Sequence, residues 1–305
     1  MNMRRTTIDL PAASLMVTLC AVWGLNQVAA KVVNAGISPV LQAGLRSVVA
    51  VLLLWAWSGL RGVRLFERDG SLPAGILIGL LFAAEFAFLF WGLEYTTASR
   101  AVVFLYTSPF WVALGVHVLV PGERLRRAQV AGLLAAFAGI VIAFGDGLTL
   151  SDGTQLIGDA MVLTAGMLWG STTVTVKATR LAGVSASTTL FYQLGVSALV
   201  LPLLALLLGE RGVFATTPFL WGVFAFQAVI VAFVTYLAWF WLVANYPAGR
   251  LSAFTFLTPL FGVIAGALLL GERLSAGLLV SLVLVGLGIW LVNRPPPQGP
   301  GEQAV

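Results

Sequence analysis

The feature that most constrains this chain is a succession of apolar runs, each about 20 residues long, the length a helix needs to cross the hydrocarbon core of a bilayer. Ten runs meet that length or come close to it: 12–33, 38–60, 72–94, 98–119, 128–145, 156–179, 185–208, 218–242, 249–270 and 275–292. The breaks between them carry Gly, Pro or charge, as at Ser38-Pro39, Leu72-Pro73, Pro121-Gly122 and Thr217-Pro218, the usual punctuation between helices. Only 10% of the residues are charged, against a usual share of about 25%. Such a chain could not solvate the surface of a soluble domain. The expected class is an all-α membrane protein with ten transmembrane helices.

The runs repeat. Trp23 to Lys31 reads W-G-L-N-Q-V-A-A-K, and Trp169 to Lys177 reads W-G-S-T-T-V-T-V-K. Each copy sets a polar stripe on a helix, with Trp23, Gln27 and Lys31 matched by Trp169, Thr173 and Lys177 at i, i+4 and i+8. Further on, Arg100, Pro109 and Gly122-Glu123-Arg124-Leu125 recur in order as Arg250, Pro259 and Gly271-Glu272-Arg273-Leu274, and Trp91 recurs as Trp241. The chain therefore divides into a first five-helix unit at 1–147 and a second at 148–294. The tail at 295–305, P-P-P-Q-G-P-G-E at its start, is expected to be a disordered cytoplasmic segment. Five is odd, so the second unit enters the membrane upside down, as an inverted-topology repeat.

Orientation follows from the basic residues. With the N-terminus in the cytoplasm, Arg4, Arg5, Arg61, Arg64, Arg68, Arg124, Arg126, Arg127, Lys177, Arg180, Arg250 and Arg294 fall inside. Lys31, Arg100, Arg211 and Arg273 fall outside, and Arg46 lies within helix 2. This bias places both termini in the cytoplasm. The net charge of +5 is spread over loops and makes no basic patch for nucleic acid, so nucleic acid is not an expected partner.

In its duplicated five-helix units, Trp-Gly in helices 1 and 6, Pro in helices 4 and 9 and Gly-Glu-Arg at their ends, the chain resembles the drug/metabolite transporter superfamily in its ten-helix EamA-type branch. Its length and Trp content are most similar to the YddG-type exporters of aromatic amino acids. The resemblance implies a basket of helices 1–4 and 6–9 around a central cavity, with helices 5 and 10 outside it, in a bacterial inner (plasma) membrane.

The polar residues agree with such a partition. Helix 5 has no polar side chain in its apolar run and helix 10 only Ser281 in its interior. Gly132 with Ala136, Ala135 with Gly139 and Gly277 with Ser281 suit close helix packing, so helices 5 and 10 read as scaffold and as a candidate homodimer surface. The other helices hold the polar groups, which are costly against lipid. These suit hydrogen bonding between helices as well as a wet cavity. The candidate substrate-binding residues are Trp23, Asn26, Gln27, Arg46, Glu85, Tyr106, Trp169, Thr172, Thr173, Tyr192, Gln193 and Tyr236.

Two charges stand out. Counting ~1.5 Å per residue from the outer helix ends puts Arg46 roughly 12 Å and Glu85 roughly 13 Å deep, so they share a level on neighbouring helices. They could satisfy each other, or a cavity could part them, with Arg46 facing a substrate carboxylate and Glu85 its ammonium group or a proton. Their counterparts in the second half are uncharged: Thr235 for Glu85, and Tyr192 or Gln193 for Arg46. Pro109 and Pro259, each about ten residues into its helix, remove a backbone hydrogen bond and are candidate hinges.

Catalysis finds little support. The one His, His117, can build neither a His-rich metal site nor a catalytic pair backed by a second His, and no phosphate-binding G-x-x-x-x-G-K-[ST] loop occurs. No cofactor or metal is expected. Cys20 reads as a small apolar residue, and Gly-Glu-Arg-Leu as a tight turn that caps the following helix. The expectation is a secondary transporter that exports small amphipathic metabolites, aromatic or other apolar amino acids, with a small-molecule substrate and membrane lipids as partners. A flippase of lipid-linked precursors is the alternative.

Overall fold

The computed structural model describes residues 5, 7–65, 69–145, 148, 153–271 and 277–294. They form ten helical rods: α1 (Leu10–Asn34), α2 (Pro39–Leu60), α3 (Leu72–Leu93), α4 (Ala98–Leu105 continued by Ser108–Leu119), α5 (Arg127–Phe144), α6 (Gly153–Ala178), α7 (Ala186–Leu207), α8 (Pro218–Asn245), α9 (Ala248–Phe254 continued by Leu257–Leu270) and α10 (Gly277–Asn293). Eight are long and apolar enough to cross a membrane, and α10 is a shorter apolar helix. The remaining rod, α6, is the one that carries a buried Asp159 and Lys177. Local chemistry sets the starts. The Asp9 carboxylate accepts the Ala12 N–H at 3.0 Å, and Ser185 and Thr217 accept from Thr188 and Leu220, satisfying amide groups that have no partner within the helix.

α4 and α9 break at equivalent places. Each break lies just before a proline, Pro109 or Pro259, whose missing N–H leaves the carbonyl four residues earlier without its helical donor. At Pro259 that carbonyl, Thr255 O, accepts the Thr258 N–H at 3.0 Å instead. At both breaks a threonine hydroxyl bonds back into the preceding turn, Thr107 Oγ1 donating to Phe104 O and Thr255 Oγ1 to Ser252 O, each at 2.7 Å. In α8 the middle turns, Phe226–Thr235, are wound as a π-helix, where the sequence suggests a plain α-helix.

Exchanging the two halves leaves the packing partners unchanged. α1 packs on α9 as α6 packs on α4, α3 on α6 as α8 on α1, and α3 on α7 as α8 on α2. The pairs α2–α7, α4–α9 and α5–α10 map onto themselves. Equivalent junctions lie on opposite faces. The junction after α1 bonds to the one after α7, through Ser38 N–H on Gly212 O at 3.0 Å and the Glu210 carboxylate on the N–H groups of Val40 and Leu41. The junction after α6 instead meets the one after α2, with Arg180 donating to Asp69 O at 3.2 Å. The second half is therefore inverted relative to the first.

Glycines set the closest approaches. A Cβ on Gly24 would lie 2.6 Å from the Phe261 Cβ of α9, and one on Gly170 2.7 Å from the Trp111 Cβ of α4. The Trp-Gly pairs thus seat α1 and α6 against the prolyl helices. Between α5 and α10, a Cβ on Gly132 would lie 2.6 Å from Gly288 O. The small residues read as a candidate dimer surface are spent inside the chain: Gly132, Ala136, Gly139 and Ser281 are buried between α5 and α10. Large apolar groups such as Leu279, Val283 and Trp290 face outward instead.

The Gly-Glu-Arg-Leu turn differs from expectation. Helix α5 is capped by Gln129, whose Oε1 accepts from Arg126 N at 2.9 Å. Glu123 reaches away, to Lys177 Nζ at 3.2 Å and to the Gly249 N–H at 3.4 Å, because the turn abuts the start of α9. Most of the second copy, Glu272 to Leu274, lies outside the described residues, as do the tail at 295–305 and Arg4 and Arg68.

Candidate functional site

A cavity of about 200 Å³ lies at the centre of the bundle, smaller than the roughly 300–1,000 Å³ of sites for drug-sized ligands. Its wall comes from α1 (Trp23, Asn26, Gln27), α2 (Arg46), α3 (Phe82, Glu85, Phe86, Leu89), α4 (Leu105, Tyr106), α6 (Trp169, Thr172, Thr173), α7 (Gln193), α8 (Val231, Tyr236, Trp239, Phe240) and α9 (Thr258). Neither α5 nor α10 contributes. Eleven of the twelve candidate residues meet there.

Tyr192 is the exception. It packs on Gly75 of α3, and its hydroxyl lies 3.2 Å from Ser71 Oγ. One residue on, about 100° round the helix, Gln193 lines the cavity, so Gln193 is the counterpart of Arg46 that faces the centre. The stripe lysines also part from the site: Lys31 is exposed at one end of α1, and Lys177 is buried at the opposite face, donating to Tyr246 O at 2.8 Å.

One side of the cavity is aromatic. Trp23 packs edge-on against Tyr236 and Trp239, with ring centres 6.4 and 5.8 Å apart, and Tyr106 against Trp169 at 5.7 Å. The Trp23 indole N–H donates to Thr235 Oγ1 at 2.8 Å, which fixes the ring. Above it runs an amide chain, Gln42 Nε2 to Gln227 Oε1 at 2.8 Å and Gln227 Nε2 to Asn26 Oδ1 at 3.0 Å. It leaves the Asn26 amide donors for the cavity, while Gln27 Nε2 donates to Tyr106 OH at 3.5 Å. Gln227 lies within the π-helical turns of α8, a winding that recurs at functional sites.

Arg46 and Glu85 are 5% and 8% exposed, yet no guanidinium nitrogen of Arg46 comes within 4.0 Å of the Glu85 carboxylate. The mutual pairing open from the sequence is absent. Arg46 instead stacks over Phe86, 4.7 Å from the ring centre, and reaches Tyr236 OH at 3.4 Å. Its Nε and the Glu85 Oε2 have no hydrogen-bond partner. Thr258 Oγ1, also on the wall, has none either.

Sequence reasoning passed over Phe82, Phe86, Leu89, Leu105, Val231 and Phe240, since an apolar residue in an apolar helix carries no signal of which way it faces. Elsewhere, Cys20 is buried and donates to Phe254 O at 3.3 Å, beside the α9 break. His117 is exposed and accepts the Leu125 N–H at 3.1 Å. Among the described residues no three His, Cys, Asp or Glu side chains gather as a metal site would need.

The model of the EamA-like transporter family matches twice, over residues 10–145 and 156–294. The chain is 27% identical to a probable amino-acid metabolite efflux pump of Escherichia coli, covering 91% of this chain and 93% of that protein. It is 29% identical to the uncharacterized transporter YvbV of Bacillus subtilis, over 92% and 91% of the two chains. A solved crystal structure shares the fold, with a TM-score of 0.78 and 20% identity over 93% of this chain and 96% of that one.

Proposed function

We propose that this chain, which belongs to the EamA-like transporter family, is a secondary exporter of small amphipathic metabolites, aromatic or other apolar amino acids, working by alternating access. The observation that carries the reading is the pair Arg46 and Glu85, buried in one cavity without an ion pair between them. A lone charge at the centre of a bilayer costs about 2.5–3.5 kcal/mol or more, so each charge calls for a partner. A zwitterionic amino acid supplies both, its carboxylate to Arg46 and its ammonium group to Glu85. The rings of Trp23, Tyr236, Trp239 and Trp169 form the wall for its apolar side chain. The name of the Escherichia coli relative is in keeping with this class.

A lipid-handling role would set polar groups along a groove between two neighbouring helices. Here they are drawn from eight helices round a common centre, which favours an enclosed small solute. The breaks of α4 and α9, one per half, are the bending points for alternating access in this reading. The face with the N-terminus, Arg5, Arg61, Arg64, Arg124, Arg126, Arg127, Arg180 and Arg294 is the cytoplasmic one, in a bacterial inner membrane. A homodimer through α5 and α10 would rest on their outward leucines and valines.

Counterflow in proteoliposomes tests the substrate class. Phenylalanine, tryptophan or leucine loaded inside should drive uptake of the same labelled amino acid, whereas aspartate and lysine should not. Exchange of none of the apolar amino acids would remove the proposal.

A further inference from the structure

A second cavity, of about 490 Å³, lies at the face that carries the N-terminus, between α4, α5, the end of α6 and the start of α9. Its wall bears Arg5, Arg124, Arg126, Lys177 and Arg250 against one carboxylate, Glu123. Arg5 is matched by Asp9 and Lys177 by Glu123. Arg126 donates to the neutral Arg294 carbonyl at 2.7 Å. Among the described residues no carboxylate pairs with Arg124, Arg126 or Arg250.

The repeat shows what Arg250 lacks. Its equivalent in the first half, Arg100, is held by Asp159, and that carboxylate also accepts from Thr96 Oγ1 at 2.6 Å. Asp159 stands ten residues before Trp169; ten before Trp23 stands Ala13. The second half has therefore kept the arginine, Arg250, while the first half, with Ala13 in the equivalent place, lacks the carboxylate that would face it. Arg250 is nonetheless only 8% exposed, and its Nη1 has no hydrogen-bond partner. Glu123, the carboxylate nearby, acts on it without a direct ion pair and is engaged by Lys177. A buried guanidinium left without a directly paired carboxylate is unfavourable, and this one lines a cavity.

We propose that a phosphoryl oxyanion carried by a ligand takes the place of the missing carboxylate, making this cavity a phosphate-binding site separate from the central one. Three unmatched guanidinium groups exceed what one carboxylate would satisfy, and suit the several acceptor oxygens of a phosphate. Ala113, Val116 and Leu133 give the cavity an apolar floor, so the phosphoryl group can belong to the headgroup of an anionic phospholipid in the adjacent leaflet as well as to a soluble phosphate.

Thermal unfolding of the purified protein in neutral detergent separates the sources, with inorganic phosphate, phosphatidylglycerol and phosphatidylcholine as probes and acetate as the carboxylate control. Phosphate or phosphatidylglycerol should raise the midpoint of the wild type while phosphatidylcholine does not. A rise with phosphatidylglycerol alone identifies the lipid headgroup, and a rise with phosphate identifies a soluble ligand. Arg250→Gln should weaken the responding probe roughly 30-fold or more, and Arg126→Gln should weaken it in the same direction. Without probe, Arg250→Gln should be at least as stable as wild type, because it removes an unmatched buried charge. The site is refuted if neither phosphate nor phosphatidylglycerol shifts the wild type, if Arg250→Gln responds as the wild type does, or if acetate acts as strongly as phosphate.

Discussion

Arg100 of α4 and Asp159 of α6 form a buried fork: Arg100 Nε lies 3.1 Å from each carboxylate oxygen, Nη2 completes the pair, and Thr96 Oγ1 donates to the same carboxylate at 2.6 Å. Both side chains are under 10% exposed. The pair ties the α3–α4 junction to the start of the second half, across the boundary between the two repeats.

Removing one partner leaves the other as an uncompensated buried charge, at a cost of about 3–5 kcal/mol. Asp159→Ala should therefore lower the unfolding midpoint sharply, and Arg100→Gln together with Asp159→Ala should recover part of the loss. A double mutant less stable than Asp159→Ala by the full cost of a second independent change would show that the two residues do not act as a pair.

The contact of Gly24 with α9 leaves no room for a side chain, since a Cβ would lie 2.6 Å from Phe261 Cβ and 2.7 Å from Gly262 N. Gly24→Val should cost about 1–3 kcal/mol through overpacking, and Gly170→Val a similar amount against Trp111. Valine tolerated at both positions, with unchanged unfolding midpoints, would contradict the packing described.

Pro109→Ala and Pro259→Ala restore the backbone donor at the breaks of α4 and α9. If the breaks are bending points, each variant should slow counterflow several-fold while substrate Kd stays close to wild type, as expected when a conformational step limits turnover. Unchanged transport rates in both variants would leave the breaks a static role in shaping the cavity.

Much of this architecture was legible because membrane helices announce themselves by length and composition, and because the repeat supplies an internal comparison. Trp-Gly, Arg and Pro recur in order, and ten rods follow within a few residues of the apolar runs. The cavity was legible where a polar side chain in an apolar helix must find company, as at Asn26, Arg46, Glu85 and Thr173. Where that cost was absent the signal failed: Phe86 and Phe240 look like any lipid-facing phenylalanine. Tyr192 and Gln193 were both polar, and only the register of α7 against Gly75 decides between them. The π-helical turns of α8 and the reach of Glu123 to α9 are set by packing between distant segments, which no local pattern records.

The inverted repeat makes a direct prediction of sidedness. In a Cys20→Ser background, single cysteines at Arg64 and at Gly153 should react with an impermeant thiol reagent from opposite sides of the membrane. Serine keeps a donor for Phe254 O, so the background protein should fold. Labelling of both positions from one side would contradict the inversion.

The central claim is that Arg46 and Glu85 read the two charges of an amino acid, and binding of the amino acid and its methyl ester tests it most directly. The wild type should prefer the free acid; Arg46→Gln should lose most of that preference, and Glu85→Gln should weaken both ligands while keeping it. Should Arg46→Gln retain the wild-type preference for the free acid, substrate charge is read elsewhere and the account of the cavity is wrong.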